Sequence, residues 1–126
     1  MRLRRNIAFA ITPLLIIALA AACGKKASTP TEGFKAFYEA AKKKDAAALK
    51  RTISKAMLTE LENQAKKENK PFDEFLVSVN VPDAMPEVRN EKIDGDTATL
   101  EVKGRGDNWR STKFIKEDGE WKLASD

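Results

Sequence analysis

The stretch VPDAMPEVRNEKIDGDTATLEVKG, residues 81–104, divides the chain into two kinds of structure. Before it, apolar residues recur three and four positions apart. After VPDAMP they alternate instead. The first period marks amphipathic helices and the second marks half-buried strands. Inside the stretch, PEVRNEKI and TATLEVKG flank Asp94-Gly95-Asp96, a hairpin turn signal. In the second arm Ala98, Leu100 and Val102 alternate with Thr97, Thr99, Glu101 and Lys103, so one face is apolar and the other polar.

Toward the C-terminus, GRGDN is a loop and NWRSTKFIKE a third strand, with Thr112 and Phe114 on one face. Asp118-Gly119 turns the chain into a short fourth strand, EWKLAS, where Trp121 and Leu123 face together. Toward the N-terminus lie the helices. Thr29 with Glu32 fits a capping box, and Pro30 takes the first helical position. Phe34, Phe37, Tyr38 and Ala41 then form one apolar stripe. Gly33 weakens that first turn by about 1 kcal/mol relative to Ala.

Asp45 caps a second helix, AAALKRTI, with Leu49 and Ile53 on one face. Ser54 caps a third, KAMLTELENQAKKEN, which buries Met57, Leu58, Leu61 and Ala65. PFDEFLVSV makes one more short helix carrying Phe72, Phe75 and Leu76. Helices first and an antiparallel meander second define an α+β domain. A domain of about 100 residues can bury one helix-on-sheet core without disulfides.

The first residues follow other rules. MRLRRN is basic, and IAFAITPLLIIALAAA is apolar apart from Thr12 and Pro13. The run is short for a bilayer span, which takes about 20 apolar residues. A positive start, an apolar run and small residues at the end form a secretory signal. Cys23, the only cysteine, comes directly after three alanines.

This segment resembles a bacterial lipoprotein signal peptide, and Leu19-Ala20-Ala21-Ala22-Cys23 is similar to its lipobox. The favoured leucine three before the cysteine is Ala20 here, with Leu19 one position further out. The resemblance implies cleavage between Ala22 and Cys23 and diacylglyceryl transfer to the Cys23 thiol. Gly24, rather than aspartate, follows the cysteine, which implies the outer membrane over the inner in a Gram-negative cell. Each buried CH₂ contributes about 0.8 kcal/mol, so two or three acyl chains make a lasting anchor where one is marginal. The expected organisation is a signal peptide over 1–22, a lipidated tether over 23–28 and a small α+β domain over 29–126. From Cys23 to Thr29 the tether reaches about 20 Å at most.

Composition narrows the chemistry. There are no histidines, which removes the commonest general base and metal ligand. A single cysteine forms no internal disulfide and no cysteine-rich zinc site. The formal charge of +4 includes Arg2, Arg4 and Arg5, and without them it falls to +1. Such a balance gives no electrostatic footprint of a nucleic-acid binder. No metal, cofactor or nucleic acid is expected.

Two stretches carry a family resemblance. TPTEGFKAFYEAAKKKDAAALKRTIS, residues 29–54, resembles the opening helices of nuclear-transport-factor-two-like (cystatin-like) domains. STKFIKEDGEWKLAS, residues 111–125, resembles their last hairpin. The chain also resembles small bacterial lipoproteins carrying domain of unknown function 4878. The resemblance implies N-terminal helices packed on a curved antiparallel sheet, a cone whose mouth often holds a ligand. It implies no particular activity.

Three aromatic residues are candidates for lining a pocket. Tyr38 is the only tyrosine and sits within the first apolar stripe, where it also reads as a core aromatic with its hydroxyl at the rim. Trp121 alternates with Leu123 as a core residue would. Trp109 follows a loop and either covers the sheet edge or marks a contact surface. Asp73 and Glu74 lie beside Phe72 and Phe75 but fit a solvated helix face. Arg105-Gly106-Asp107 suits a turn between strands rather than adhesion. No catalytic residue is assigned.

The expected protein is a lipid-anchored component of the cell envelope whose domain binds a small apolar ligand or an envelope protein. The alternative is an isomerase- or hydratase-type enzyme using the cone.

Overall fold

The computed structural model describes residues 26–126. The expected signal segment, and the expected cleavage at Ala22–Cys23 and lipidation of Cys23, fall outside the described residues. Four helices come first: α1 (Pro30–Lys43), α2 (Ala46–Thr52), α3 (Lys55–Lys67) and α4 (Phe72–Val77). Four strands follow: β1 (Val88–Asp94), β2 (Thr97–Lys103), β3 (Trp109–Glu117) and β4 (Glu120–Ala124). They form one open antiparallel sheet in the order β1-β2-β3-β4. The architecture is α+β, with α1 packed against the sheet.

Local chemistry fixes the helix starts. Thr29 Oγ1 accepts from the Glu32 N–H at 3.1 Å. The Glu32 carboxylate reaches one residue further back than a capping box requires. It accepts from the Ser28 N–H at 2.8 Å and the Ser28 hydroxyl at 2.7 Å. Asp45 Oδ1 accepts from the Ala48 N–H at 3.0 Å, and Ser54 Oγ from the Met57 N–H at 3.3 Å.

The sheet supplies two further caps. Glu91 of β1 accepts from the Thr31 N–H and hydroxyl, both at 2.9 Å. Glu117 of β3 accepts from the Lys55 N–H at 3.2 Å. First-turn N–H groups have no partner inside the helix, and the helix dipole favours an anion there. These two carboxylates therefore fix α1 and α3 onto particular strands.

Asp118 and Gly119, between β3 and β4, have φ of 52° and 76°. A type I′ turn needs positive φ at both central residues. β1 contains a bulge. Arg89 faces Glu101 and Lys92 faces Thr99, so one strand advances three residues while the other advances two. Asn90, with φ of 52°, sits in the bulge. The extra residue changes which side chains share a face. Val88 and Ile93 are an odd number apart, yet they face Val102 and Ala98, which share one side of β2.

One apolar cluster lies between α1 and the sheet: Phe34, Ala98, Leu100, Phe114, Trp121 and Leu123. A second lies among the helices: Ala40, Ala41, Leu49, Ile53 and Leu76. Phe37 and Met57 pack against both and join them. The outer edge of β4 is closed by the segments that flank α1 and α3. The Ser54 N–H donates to the Leu123 carbonyl at 2.8 Å, and the Trp121 N–H donates to the Ala27 carbonyl at 3.1 Å.

Candidate functional site

The helical layer encloses a cleft of about 280 Å³. α1 contributes Phe37, α2 contributes Leu49, its C-cap adds Ile53, α3 contributes Met57 and Leu61, and α4 contributes Phe75 and Leu76. Ser78 and Val79, just past α4, complete the rim. On α3 the lining pair is four residues apart, so it presents one helical face. The lining holds no titratable side chain. Its one polar group, the Ser78 hydroxyl, donates to the Phe75 carbonyl at 2.6 Å. Val79 is 41% exposed, an apolar side chain left at the mouth.

Several contacts hold the walls in place. Lys50 of α2 pairs with Asp73 of α4, and its ammonium lies 5.2 Å from the centre of the Phe72 ring. Asn69 takes the left-handed conformation, with φ of 53°, and lets the chain reverse between α3 and α4. The Lys70 N–H then donates to the Ala65 carbonyl at 3.0 Å. Tyr38 fastens the loop that follows. Its hydroxyl lies 2.7 Å from the Pro82 carbonyl and 2.8 Å from the Asp83 carbonyl.

The three aromatic candidates occupy three different places. Tyr38 is buried, with its hydroxyl engaged by the loop, and it is absent from the cleft lining. Trp109 is half-buried on the sheet, and the Arg89 guanidinium lies 3.8 Å from the centre of its ring. Arg89 also donates from Nε to Glu101 at 2.9 Å, and the Asn90 amide donates to the same carboxylate oxygen. Those hydrogen bonds, from Asn90 first and Arg89 second, lower the pKa of Glu101 below its ordinary value. Trp121 is a core residue, and it also borders a second groove.

That second groove, about 840 Å³ and bordered by charged and apolar residues alike, runs along another face of α1 and α2. Lys26, Ala27, Lys35, Glu39, Lys43 and Arg51 are among its borders. Glu39 and Glu74 are exposed, and Asp73 is engaged by Lys50. None of these carboxylates lines the apolar cleft. Among the described residues no group of three His, Cys, Asp or Glu is placed to hold a metal ion. Among them, too, no helix is long and apolar enough to cross a membrane.

Sequence reading identified the apolar stripes but not the cleft. Leu49, Met57, Leu61 and Phe75 each read as core positions, and periodicity says only which face is buried. The space between four such faces depends on how the helices pack. No protein-family model, curated protein or solved structure matches the chain.

Proposed function

We propose that the domain binds a small, neutral, apolar molecule in the helical cleft, and that acyl chains on Cys23 hold it at the membrane of the cell envelope. The observation that carries the first part is the cleft itself, about 280 Å³ lined almost wholly by hydrocarbon and aromatic side chains. An apolar cavity of about 150 Å³ stays dry and takes up benzene. This one has room for a ligand nearly twice that size, at the small end of ligand sites. With no charge or free hydrogen-bond donor in the lining, a charged ligand would lose its hydration without compensation. The absence of any titratable side chain in the lining also favours binding over acid–base turnover.

The anchor rests on the basic start, the apolar run and the cysteine after three alanines, on the outer membrane side given Gly24. The order of four helices and a four-stranded meander supports kinship with the cone-shaped, nuclear-transport-factor-two-like lipoprotein domains that the sequence resembles.

Titration with phenylnaphthylamine, a neutral fluorescent probe, tests the ligand reading. Saturable, equimolar binding, competed by uncharged hydrocarbons and not by fatty-acid anions, is expected. Absence of binding by either class of compound overturns it.

A further inference from the structure

We infer that residues 78–81 form a gate over the apolar cleft, with Val79 as its plug and the Tyr38 hydroxyl as its latch. This rests on the reading of the cleft as a ligand site. Of the residues that line the cleft, only Ser78 and Val79 are exposed. Leu49, Ile53 and Leu76 are buried and close the floor. Phe37, Met57, Leu61 and Phe75 are partly buried walls. The most open part of the lining is thus the segment after α4, and a ligand enters past it.

This segment is held at its ends and loose in the middle. At its start the Ser78 N–H donates to the Phe75 carbonyl at 3.3 Å, and the Val79 N–H reaches the Leu76 carbonyl only at 3.5 Å. Just past it, the Tyr38 hydroxyl lies 2.7 Å from the Pro82 carbonyl and 2.8 Å from the Asp83 carbonyl. Between these points the N–H groups of Asn80 and Val81 have no hydrogen-bond partner among the described residues. Val77 and Val81 pack against the helical cluster, while Val79 between them is 41% exposed. An exposed stretch with few backbone hydrogen bonds opens at low free energy.

The far end sets the cost of opening. The Lys42–Asp83 pair is exposed and adds little there. Tyr38 is buried, and its one hydroxyl proton serves both carbonyls. Its side chain is absent from the cleft lining, so it acts on passage and not on the bound ligand. Tyr38 is therefore a positioning residue for the gate.

Stopped-flow mixing of the full chain with phenylnaphthylamine, followed by displacement of the bound probe with an uncharged hydrocarbon, tests this. In Tyr38→Phe both association and dissociation should be several-fold faster than in the native chain, with Kd unchanged. Val79→Ala trims the plug, leaves the latch in place, and should speed association as well. Saturable binding with native rates in both variants overturns the gate and leaves the ligand reading standing. Faster dissociation in Tyr38→Phe with a proportionally weaker Kd also overturns it, since Tyr38 would then support the walls of the cleft. A native chain that binds no probe overturns the ligand reading, and the gate falls with it.

Discussion

Gly33 in α1 and Trp121 in β4 approach so closely that a Cβ on Gly33 would stand 2.6 Å from the Trp121 carbonyl oxygen. Helix propensity alone says that Gly33→Ala should stabilise α1 by about 1 kcal/mol. The contact reverses the sign. The obstacle is backbone, and the same Trp121 residue donates its N–H to Ala27, so it cannot easily retreat. Overpacking of this kind costs about 1–3 kcal/mol. Gly33→Ala should lower the urea midpoint, and a raised midpoint would show that β4 yields freely.

Tyr38 and the loop after α4 give a second test. Tyr38→Phe keeps the ring and removes a hydroxyl that two carbonyls share. A loss of about 1 kcal/mol is expected from the missing hydrogen bond, more if a carbonyl stays buried. Limited proteolysis should locate the first new cleavage between residues 78 and 87, beside the cleft rim. Unchanged cleavage there would mean that the loop is held by other contacts.

The cleft can be filled or enlarged. Leu61 is half-buried in its lining, so Leu61→Trp should abolish probe binding while costing under about 3 kcal/mol. Leu49 is 1% exposed in the same lining, and Leu49→Ala should destabilise by about 2–5 kcal/mol through cavity formation. Calorimetry and probe titration on both variants separate occupancy from folding. Full probe affinity in Leu61→Trp would place the ligand elsewhere.

Glu101 sets a pH dependence. Its carboxyl is held below the usual value of 4.5 by hydrogen bonds from Asn90 and Arg89, with the Arg89 and Lys92 charges acting in the same direction. The unfolded chain therefore takes up this proton first as pH falls. The stabilisation is complete above pH 4.5 and fades as pH drops through the lowered folded value. Glu101→Gln should flatten the acid limb of a plot of urea midpoint against pH. Parallel curves for the two proteins would contradict the assignment.

What the sequence made legible was local. Thr29, Asp45 and Ser54 cap the helices they precede, because a cap needs only residues three positions away. Ala98 and Leu100 are buried as their alternation demands. The bulge at Asn90 left only a faint trace, the odd spacing of Val88 and Ile93 in a strand. Contacts distant along the chain left none. Gly33 reads as a weak helical position until Trp121 lies against it, and Tyr38 as a core aromatic until the Pro82 and Asp83 carbonyls reach its hydroxyl. The capping carboxylates of Glu91 and Glu117 belong to the same class, since they act on helices far away in sequence.

Intact-mass analysis of the protein isolated from the cell envelope bears most directly on the proposed anchor at Cys23. The expected mass is that of a chain beginning at Cys23 and ending at Asp126, increased by a diacylglyceryl group and, where the new amine is acylated, by a further acyl chain. An unmodified chain from Met1 to Asp126, or a mature chain beginning at any other residue, would contradict it.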